Sequence, residues 1–277
     1  MLFKNSLSLN NYINRLPKGP IGLIPTMGSI HEGHQKIINK CLNKNLHTIV
    51  SIFINPTQFD EFEDYINYPR DIKTDIKILD SINKNILVYA PESYDLYGDN
   101  VKHDFFNFDG LELIMEGSIR RNHFNGVATV VKKLIIKFNP SNIYFGEKDF
   151  QQMAIIKKLI IKESLNTNLV SCKTVREKSG LALSSRNKRL SQKEKIEASL
   201  IYKILKEVKS KFKYFSEKVI NDHVYNELNN TNFKIEYFFI LNEETLKPDK
   251  KIVDHNRYRA FIAVRLGKIR LIDNIKL

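Results

Sequence analysis

Short apolar runs alternate with helix-like patterns along the first two thirds of the chain. His47–Asn55, HTIVSIFIN, is a continuous run rich in β-branched residues, which is typical of a strand buried on both faces. Phe124, Val127 and Val131 recur at intervals of three and four, which predicts a helix. The same reasoning predicts strands over Ile21–Pro25, Ile86–Ala90, Asn142–Phe145 and Leu169–Val175, and helices over His31–Asn43, Asp71–Asn83 and Asp149–Glu163. This alternation predicts an α/β fold, with a parallel sheet that has helices on both faces.

The pattern changes after Asn187. Ser191 and Glu194 form a capping-box sequence that predicts the start of a long helix over Gln192–Lys211. A second helix is predicted over Ser216–Leu228, followed by strands over Phe233–Leu241, Tyr258–Leu266 and Ile269–Ile275. Two helices followed by antiparallel strands indicate a small α+β domain. We place the boundary in the aperiodic loop 176–185, which divides the chain into residues 1–176 and 177–277.

Composition adds little to this picture except through charge. The 277 residues include 44 Lys and Arg against 31 Asp and Glu, a formal net charge of +13. The lysines are spread among abundant Asn and Ile without a clustered block, so base bias in the genome explains them and a nucleic-acid partner is not expected. A basic surface still attracts an anionic substrate such as ATP.

Two further features of the sequence concern the cellular location of the protein. No apolar run approaches the roughly 18 residues of a membrane span, and the N-terminus lacks a signal-peptide pattern. Cys41 and Cys172 lie far apart and match no metal-ligand spacing, which is typical of buried thiols in a reducing compartment. We therefore expect a cytoplasmic enzyme without a membrane partner.

The segment Pro25–Ile38, PTMGSIHEGHQKII, carries the strongest candidate chemistry. It follows a predicted strand and opens a helix, the position at which a doubly wound sheet binds nucleotides. Gly28 allows the backbone to pass close to a phosphate. His31 and His34 are three residues apart and can donate hydrogen bonds to phosphate oxygens at the helix N-terminus. A pair of surface histidines and a metal-binding pair are the alternatives, although no third ligand cluster supports a metal.

Three other segments place polar side chains after strands or at the domain boundary. Gln58 follows the strand break at Asn55-Pro56 and offers both donors and an acceptor to a hydroxy acid. The segment Phe145–Met153 runs from a strand into a helix and supplies Lys148 for phosphate, Asp149 for ribose hydroxyls and Gln152 facing the same opening. The boundary loop Gly180–Asn187 supplies the hydroxyl and guanidinium groups of Ser184, Ser185 and Arg186.

The H-x-G-H element resembles the signature of the nucleotidyltransferase superfamily, whose members make acyl-adenylates or nucleotidyl products on a Rossmann-like sheet. Over essentially its full length the chain resembles the pantoate–β-alanine ligase family, the pantothenate synthetases. The resemblance rests on segments that occur in the family's order: PTMGSIHEGH, SIFINPTQF, EDYINYPRD, EGSIRRNHFNGVATVVKKL, FGEKDFQQM, GLALSSRN and RLGKIRLIDNI.

This resemblance implies an enzyme that joins pantoate to β-alanine, using ATP through a pantoyl-adenylate and releasing AMP and pyrophosphate. It implies a Rossmann-like domain that binds nucleotide and pantoate, a C-terminal lid domain, Mg²⁺ held largely by ATP oxygens and water, and a homodimer. The implied catalytic residues are His34 as proton donor, His31, Lys148 and Arg186; Gln58 and Gln152 would bind pantoate, and Gln58 would also contact β-alanine. The implied ATP-binding residues are Met27, Gly28, Ser29, Ile30, His31, Glu32, Gly33, His34, Gly146, Glu147, Lys148, Asp149, Val175, Leu183, Ser184, Ser185 and Arg186.

One segment departs from the family pattern S-R-P-G-H-F-D-G-V. Here the chain reads Ile-Arg-Arg-Asn-His-Phe-Asn-Gly-Val from 119 to 127. Losing the Pro and the Gly is expected to change the backbone preferences of the turn, and Asn125 replaces an acid.

The alternative function is another H-x-G-H nucleotidyltransferase, or an adenylate-forming enzyme that acts on a different small acid.

Overall fold

The computed structural model describes residues 1–249 and 257–277. The chain forms two compact units, Met1–Lys173 and Thr174–Leu277. The predicted strand and helix alternation belongs to the first unit, and the predicted helix pair and antiparallel strands belong to the second.

In the described part of the first unit, six parallel strands form one sheet in the order β1-β4-β3-β2-β5-β6. Neighbouring strands pair in register along this order, for example Leu23 with Ile49 and Ile143 with Leu169. The parallel sheet confirms the predicted α/β, Rossmann-like fold class. The strands are β1 Leu2–Phe3, β2 Ile21–Thr26, β3 His47–Ile52, β4 Leu87–Tyr89, β5 Asn142–Gly146 and β6 Asn168–Cys172.

Helices cover both faces of this sheet. Val88 packs in a buried cluster with Ile38 of α2 and Leu79 of α4, whereas the ring of its neighbour Tyr89 lies 4.8 Å from the ring of Phe138 of α7. Because successive strand residues point to opposite faces, these helices lie on opposite sides. The helices of this unit are α1 Ser6–Ile13, α2 Glu32–Leu42, α3 Phe62–Ile66, α4 Ile72–Ile82, α5 Ser93–Tyr97, α6 Glu116–Ile119, α7 His123–Phe138 and α8 Phe150–Lys162.

The second unit packs helices against an antiparallel sheet of order β7-β8-β9 in its described residues. Side chains from both layers fill one core, including Leu205, Val224, Ile262 and Val264, each nearly or fully buried. The elements are α9 Gln192–Ala198, α10 Leu200–Lys211, α11 Glu217–Asn229, β7 Phe233–Asn242, β8 Tyr258–Leu266 and β9 Ile269–Lys276.

The single helix predicted over Gln192–Lys211 is wrong, because it divides at Ser199 into α9 and α10. The Ser199 N–H donates to both Lys195 O and Ile196 O at 3.2 Å, and its hydroxyl donates to Ile196 O at 2.6 Å. Sharing the donor between the i−3 and i−4 carbonyls tightens the turn and interrupts the regular α-helical pattern. The predicted capping box is confirmed, with Ser191 N–H donating to Glu194 Oε2 at 2.7 Å.

The remaining differences concern short elements. The sequence pattern did not predict β1, α1, α3, α5 or α6, of which only α1 exceeds five residues. Along the described residues, no helix is both long enough and apolar enough to cross a membrane.

Candidate active site

The three candidate segments of the first unit lie at the carboxyl edge of the sheet. They surround the topological switch point between β2 and β5. β2 pairs with β3 on one side and with β5 on the other, both in parallel. The segments Pro25–His34, 53–58 and Gly146–Gln152 follow the carboxyl ends of β2, β3 and β5 respectively. In open parallel sheets this crevice is where ligands bind.

The turn after β2 is shaped by a buried carboxylate. Gly28 and Ser29 have positive φ values of 79° and 52°, so consecutive backbone N–H groups converge. Asp75, which is 3% exposed on α4, accepts from Ser29 N–H at 2.8 Å and from Ile30 N–H at 2.7 Å. A Cβ at Gly28 would lie 2.8 Å from the Asp75 carboxylate, so glycine fits both the conformation and the space. The Asp75 side chain therefore occupies the two N–H groups of this turn.

The two histidines of the H-x-G-H element form the capping box of α2. His31 Nδ1 accepts from Gly33 N–H at 3.1 Å, and His34 Nδ1 accepts from His31 N–H at 3.3 Å. The ring centroids lie 3.9 Å apart. A ring nitrogen that accepts from a backbone N–H carries no proton, so in the neutral form each ring is protonated at Nε2. The two rings lie side by side, as predicted, although His31 is the N-cap of α2 and not part of its first turn.

Gln58 lies in a buried amide network beside Met27. Asn55 Nδ2 donates to Gln58 Oε1 at 3.0 Å, and Gln58 Nε2 donates to Met27 Sδ at 3.1 Å. Asn55 is 1% exposed and Gln58 is 9% exposed. Gln58 therefore adjoins the turn that follows β2, next to the predicted nucleotide segment.

The first residues of α7, together with Arg120 just before it, hold the turn that carries Gln58. The His123 Nδ1 atom lies 2.8 Å from Gln58 O, and Arg120 bonds the same carbonyl at 3.4 Å. A Cβ on Gly126 would lie 2.3 Å from Thr57 O, so only glycine permits this approach. Arg120 and His123, which the sequence did not assign, thus support the backbone that carries Gln58.

The residues that depart from the family pattern are compatible with the backbone conformation of this turn. Asn122 has φ 61° and ψ 4°, the left-handed region that asparagine tolerates better than most residues. Asn125 Oδ1 accepts from Phe106 N–H at 3.0 Å, a contact that a carboxylate oxygen could also make. The expected change in the turn's preferences is therefore offset at Asn122.

Two predicted site residues, Lys148 and Gln152, follow β5, and the buried Gln151 lies between them. Lys148 Nζ lies 3.6 Å from Asp149 Oδ1 in a short 3₁₀ turn. Gln151 is 4% exposed, and its amide bonds Leu111 O, Ile114 O and Glu116 N–H. Gln152 is half-buried, and no side-chain hydrogen bond to its amide occurs within the described ranges. Gln151 therefore has a structural role, which the Gln152 amide does not share among the described residues.

In the second unit, Val175 and Leu183 bracket a closed loop. Leu183 N–H donates to Val175 O at 2.9 Å, and Arg176 bonds the Asp273 carboxylate at 2.5 and 2.9 Å. Ser184 caps the 3₁₀ turn Ser185–Arg189 by accepting from Arg186 N–H at 3.3 Å. Hydrogen bonds therefore fix the backbone of the loop that carries the predicted phosphate-binding residues.

Asp75, Asn55 and Tyr97 are buried residues of this region that the sequence did not assign. Asp75 carried one signal, since it interrupts the apolar stripe of Ile72, Ile76 and Leu79. Asn55 and Tyr97 gave none, because nothing in a sequence pairs two side chains 42 positions apart. Across 1–249 and 257–277, no group of three or more His, Cys, Asp or Glu residues could hold a metal ion.

Comparison with known proteins gives one consistent result. A family model described as pantoate-beta-alanine ligase matches residues 2–276. The pantothenate synthetase of Flavobacterium psychrophilum is 43% identical over 280 residues, covering 100% of this chain and 99% of the relative. That of Christiangramia forsetii is 48% identical over 258 residues, covering 93% and 91%.

Solved structures agree with the sequence relatives. A pantothenate synthetase from Thermus thermophilus superposes with a TM-score of 0.90 at 32% identity, covering 99% of this chain and 98% of that one. The pantoate-beta-alanine ligase of Francisella tularensis, complexed with beta-gamma ATP and beta-alanine, superposes with a TM-score of 0.83 at 36% identity, covering 100% and 97%.

Proposed function

This chain belongs to the pantoate-beta-alanine ligase family, and we propose that the segment Pro25–His34 is the centre of its ATP site. The enzyme condenses pantoate with β-alanine, with ATP as a substrate, through a pantoyl-adenylate. AMP and pyrophosphate are released. The observation that carries the assignment of the site is the His31–His34 pair at the N-terminus of α2, at the crevice between β2 and β5.

The first step is attack of a pantoate carboxylate oxygen on the α-phosphorus of ATP. This step requires positive charge and hydrogen-bond donors where pyrophosphate departs. In the proposal His34 donates a proton to the departing pyrophosphate, and His31 donates a hydrogen bond from Nε2 to a phosphate oxygen. Lys148 stabilises the charge at the α-phosphate. Arg186 is proposed to supply a further cation to the phosphates. No enzyme nucleophile is needed, because the substrate carboxylate is the nucleophile.

The second step is attack of the β-alanine amine on the acyl carbon, with departure of AMP. It depends on positioning and exclusion of water. We assign pantoate recognition to Gln58 and Gln152, with Gln58 also contacting β-alanine. The half-buried Gln152 amide and the Gln58 amide beside Met27 support this assignment.

The remaining assignments follow the family. ATP contacts are proposed for Met27 to His34, Gly146 to Asp149, Val175 and Leu183 to Arg186, with residues 1–176 as the nucleotide- and pantoate-binding domain and 177–277 as the lid domain. Mg²⁺ is proposed to be held by ATP oxygens and water, where it would neutralise phosphate charge. A homodimer, measurable by light scattering, and a cytoplasmic location complete the proposal.

The test is AMP release from ATP and pantoate, with and without β-alanine, in the wild type and in Lys148→Ala. We expect release to depend on pantoate and pantoyl-adenylate formation to fall by orders of magnitude in Lys148→Ala, with the fold intact. Lys158→Ala is the matched control, because Lys158 pairs with Asp109 on the surface at 2.7 Å. Equal AMP release with unrelated acids would overturn the substrate assignment, and an unchanged single-turnover rate in Lys148→Ala would remove Lys148 from the mechanism.

A further inference from the structure

Tyr97 is a buried tyrosine beside the Gln58 network. It ends α5, is 9% exposed, and its hydroxyl donates to Asn55 Oδ1 at 2.6 Å. The same hydroxyl lies 3.2 Å from Thr57 Oγ1. Burial raises the pKa of Tyr97 to about 12, so the hydroxyl keeps its proton and remains a donor at neutral pH.

The orientation of the Asn55 amide follows from its fixed backbone partners. Thr57 N–H donates to Asn55 Oδ1 at 3.4 Å, and Asn55 Nδ2 donates to Gly126 O at 3.1 Å. Because a backbone N–H only donates and a backbone carbonyl only accepts, the reversed amide would break both bonds. In this orientation the Tyr97 hydroxyl donates to Asn55 Oδ1 at 2.6 Å, the shortest hydrogen bond that the amide makes.

Asn55 in turn fixes the amide of Gln58. Its Nδ2 occupies Gln58 Oε1 at 3.0 Å, so Gln58 directs its Nε2 donors toward Met27 Sδ. A thioether sulfur is a weak acceptor. A hydroxyl or carboxylate oxygen of a ligand can replace it and form a stronger hydrogen bond. Asn55 takes one acceptor site of Gln58 Oε1, so what the Gln58 side chain presents beside Met27 is its Nε2 donors.

We propose that Tyr97 is a positioning residue for recognition of the hydroxy acid: through Asn55 it holds Gln58 with its Nε2 donors directed at the oxygen atoms of the substrate. The inference rests on the proposed function, in which Gln58 binds pantoate. Tyr97 does not touch the substrate in this scheme. Its effect falls on the pantoate site and leaves the nucleotide site unaltered.

The test is Tyr97→Phe in the full chain, with KM for pantoate, KM for ATP, kcat and unfolding measured together. Tyr144→Phe is the matched control, because Tyr144 is also buried and its hydroxyl accepts from Asn45 Nδ2 at 2.6 Å, outside this network. We expect Tyr97→Phe to raise KM for pantoate by about three- to tenfold, the value of one buried hydrogen bond. KM for ATP should change less than twofold, and Tyr144→Phe should change neither constant.

Two results would overturn the inference: an unchanged KM for pantoate in a folded Tyr97→Phe protein, or an equal rise in both Michaelis constants. If Tyr97→Phe does not fold, Thr57→Val removes the second hydroxyl on Asn55 Oδ1, which lies at 3.0 Å, and the same selective rise is expected. An unchanged KM for pantoate in Thr57→Val would then count against it. A wild-type protein that does not use pantoate would instead contradict the proposed function, so the two failures are distinguishable.

Discussion

His31 is both the N-cap of α2 and one half of the imidazole pair that we propose binds phosphate. Its Nδ1 satisfies Gly33 N–H, while its own N–H is satisfied by His34 Nδ1. Each ring therefore uses one nitrogen for the helix and has its Nε2–H donor on the other side. The two roles of His31 can be separated experimentally, because asparagine is also a good N-cap and lacks the imidazole.

We predict that His31→Asn and His31→Ala both slow pantoyl-adenylate formation, while only His31→Ala destabilises the fold. Loss of the cap costs about 1 kcal/mol of unfolding free energy. Urea denaturation and single-turnover kinetics on the same preparations separate the two effects. Wild-type kinetics in His31→Asn would show that His31 serves the helix alone.

At this scale, the sequence indicated the residues that carry charge or donors, because the H-x-G-H element lies between a strand and a helix. It did not indicate the buried residues that hold these side chains in place. Asp75, Asn55 and Tyr97 act through partners that are distant in sequence, and only the folded chain brings these together. Asn122 shows the converse, since its left-handed φ of 61° explains a substitution that the sequence alone made doubtful.

Among the elements, the contact between α7 and the 3₁₀ turn Pro56–Gln58 determines where Gln58 lies. Gly126 makes it possible, since a Cβ there would lie 2.3 Å from Thr57 O and 2.7 Å from Gln58 Cα. Both of these are backbone atoms, so an added methyl group cannot be accommodated by a change of rotamer. The helix and the turn would have to separate.

We predict that Gly126→Ala lowers the unfolding free energy by about 1–3 kcal/mol, the usual cost of overpacking, and raises KM for pantoate. Ile136→Ala is a suitable control, because Ile136 is 62% exposed on the same helix. Urea denaturation and steady-state kinetics measure the two effects. Wild-type stability together with wild-type KM in Gly126→Ala would contradict the close packing described here.

The longer elements were predictable because apolar periodicity extends over many residues. The strand Tyr258–Leu266 has its predicted bounds, and helix α7 follows its apolar period. The strand β3 begins at His47 as predicted and ends at Ile52, three residues before the end of the apolar run. Short elements such as β1 and α5 span too few residues to show a period, and the division of one predicted helix at Ser199 depends on a local hydrogen-bond choice. Tertiary contacts decide such cases.

For the whole molecule, strand order is what converts separate motifs into one site. The sequence predicted parallel strands, but no pattern in it showed that β5 lies beside β2. That neighbour relationship brings Gly146–Gln152 to the same crevice as the H-x-G-H helix. The net charge of +13, which by itself suggested little, is consistent with attraction of a polyanionic substrate.

The central claim, that the substrate carboxylate becomes an acyl-adenylate, is tested most directly by isotope transfer. Pantoate labelled with ¹⁸O in both carboxylate oxygens is incubated with ATP, Mg²⁺ and β-alanine, and the products are examined by mass spectrometry. Attack of the carboxylate on the α-phosphorus, followed by cleavage of the acyl C–O bond by the amine, transfers one ¹⁸O atom to AMP. We predict AMP carrying a single ¹⁸O and pantothenate retaining the other. Unlabelled AMP, or label in pyrophosphate or phosphate, would contradict the account.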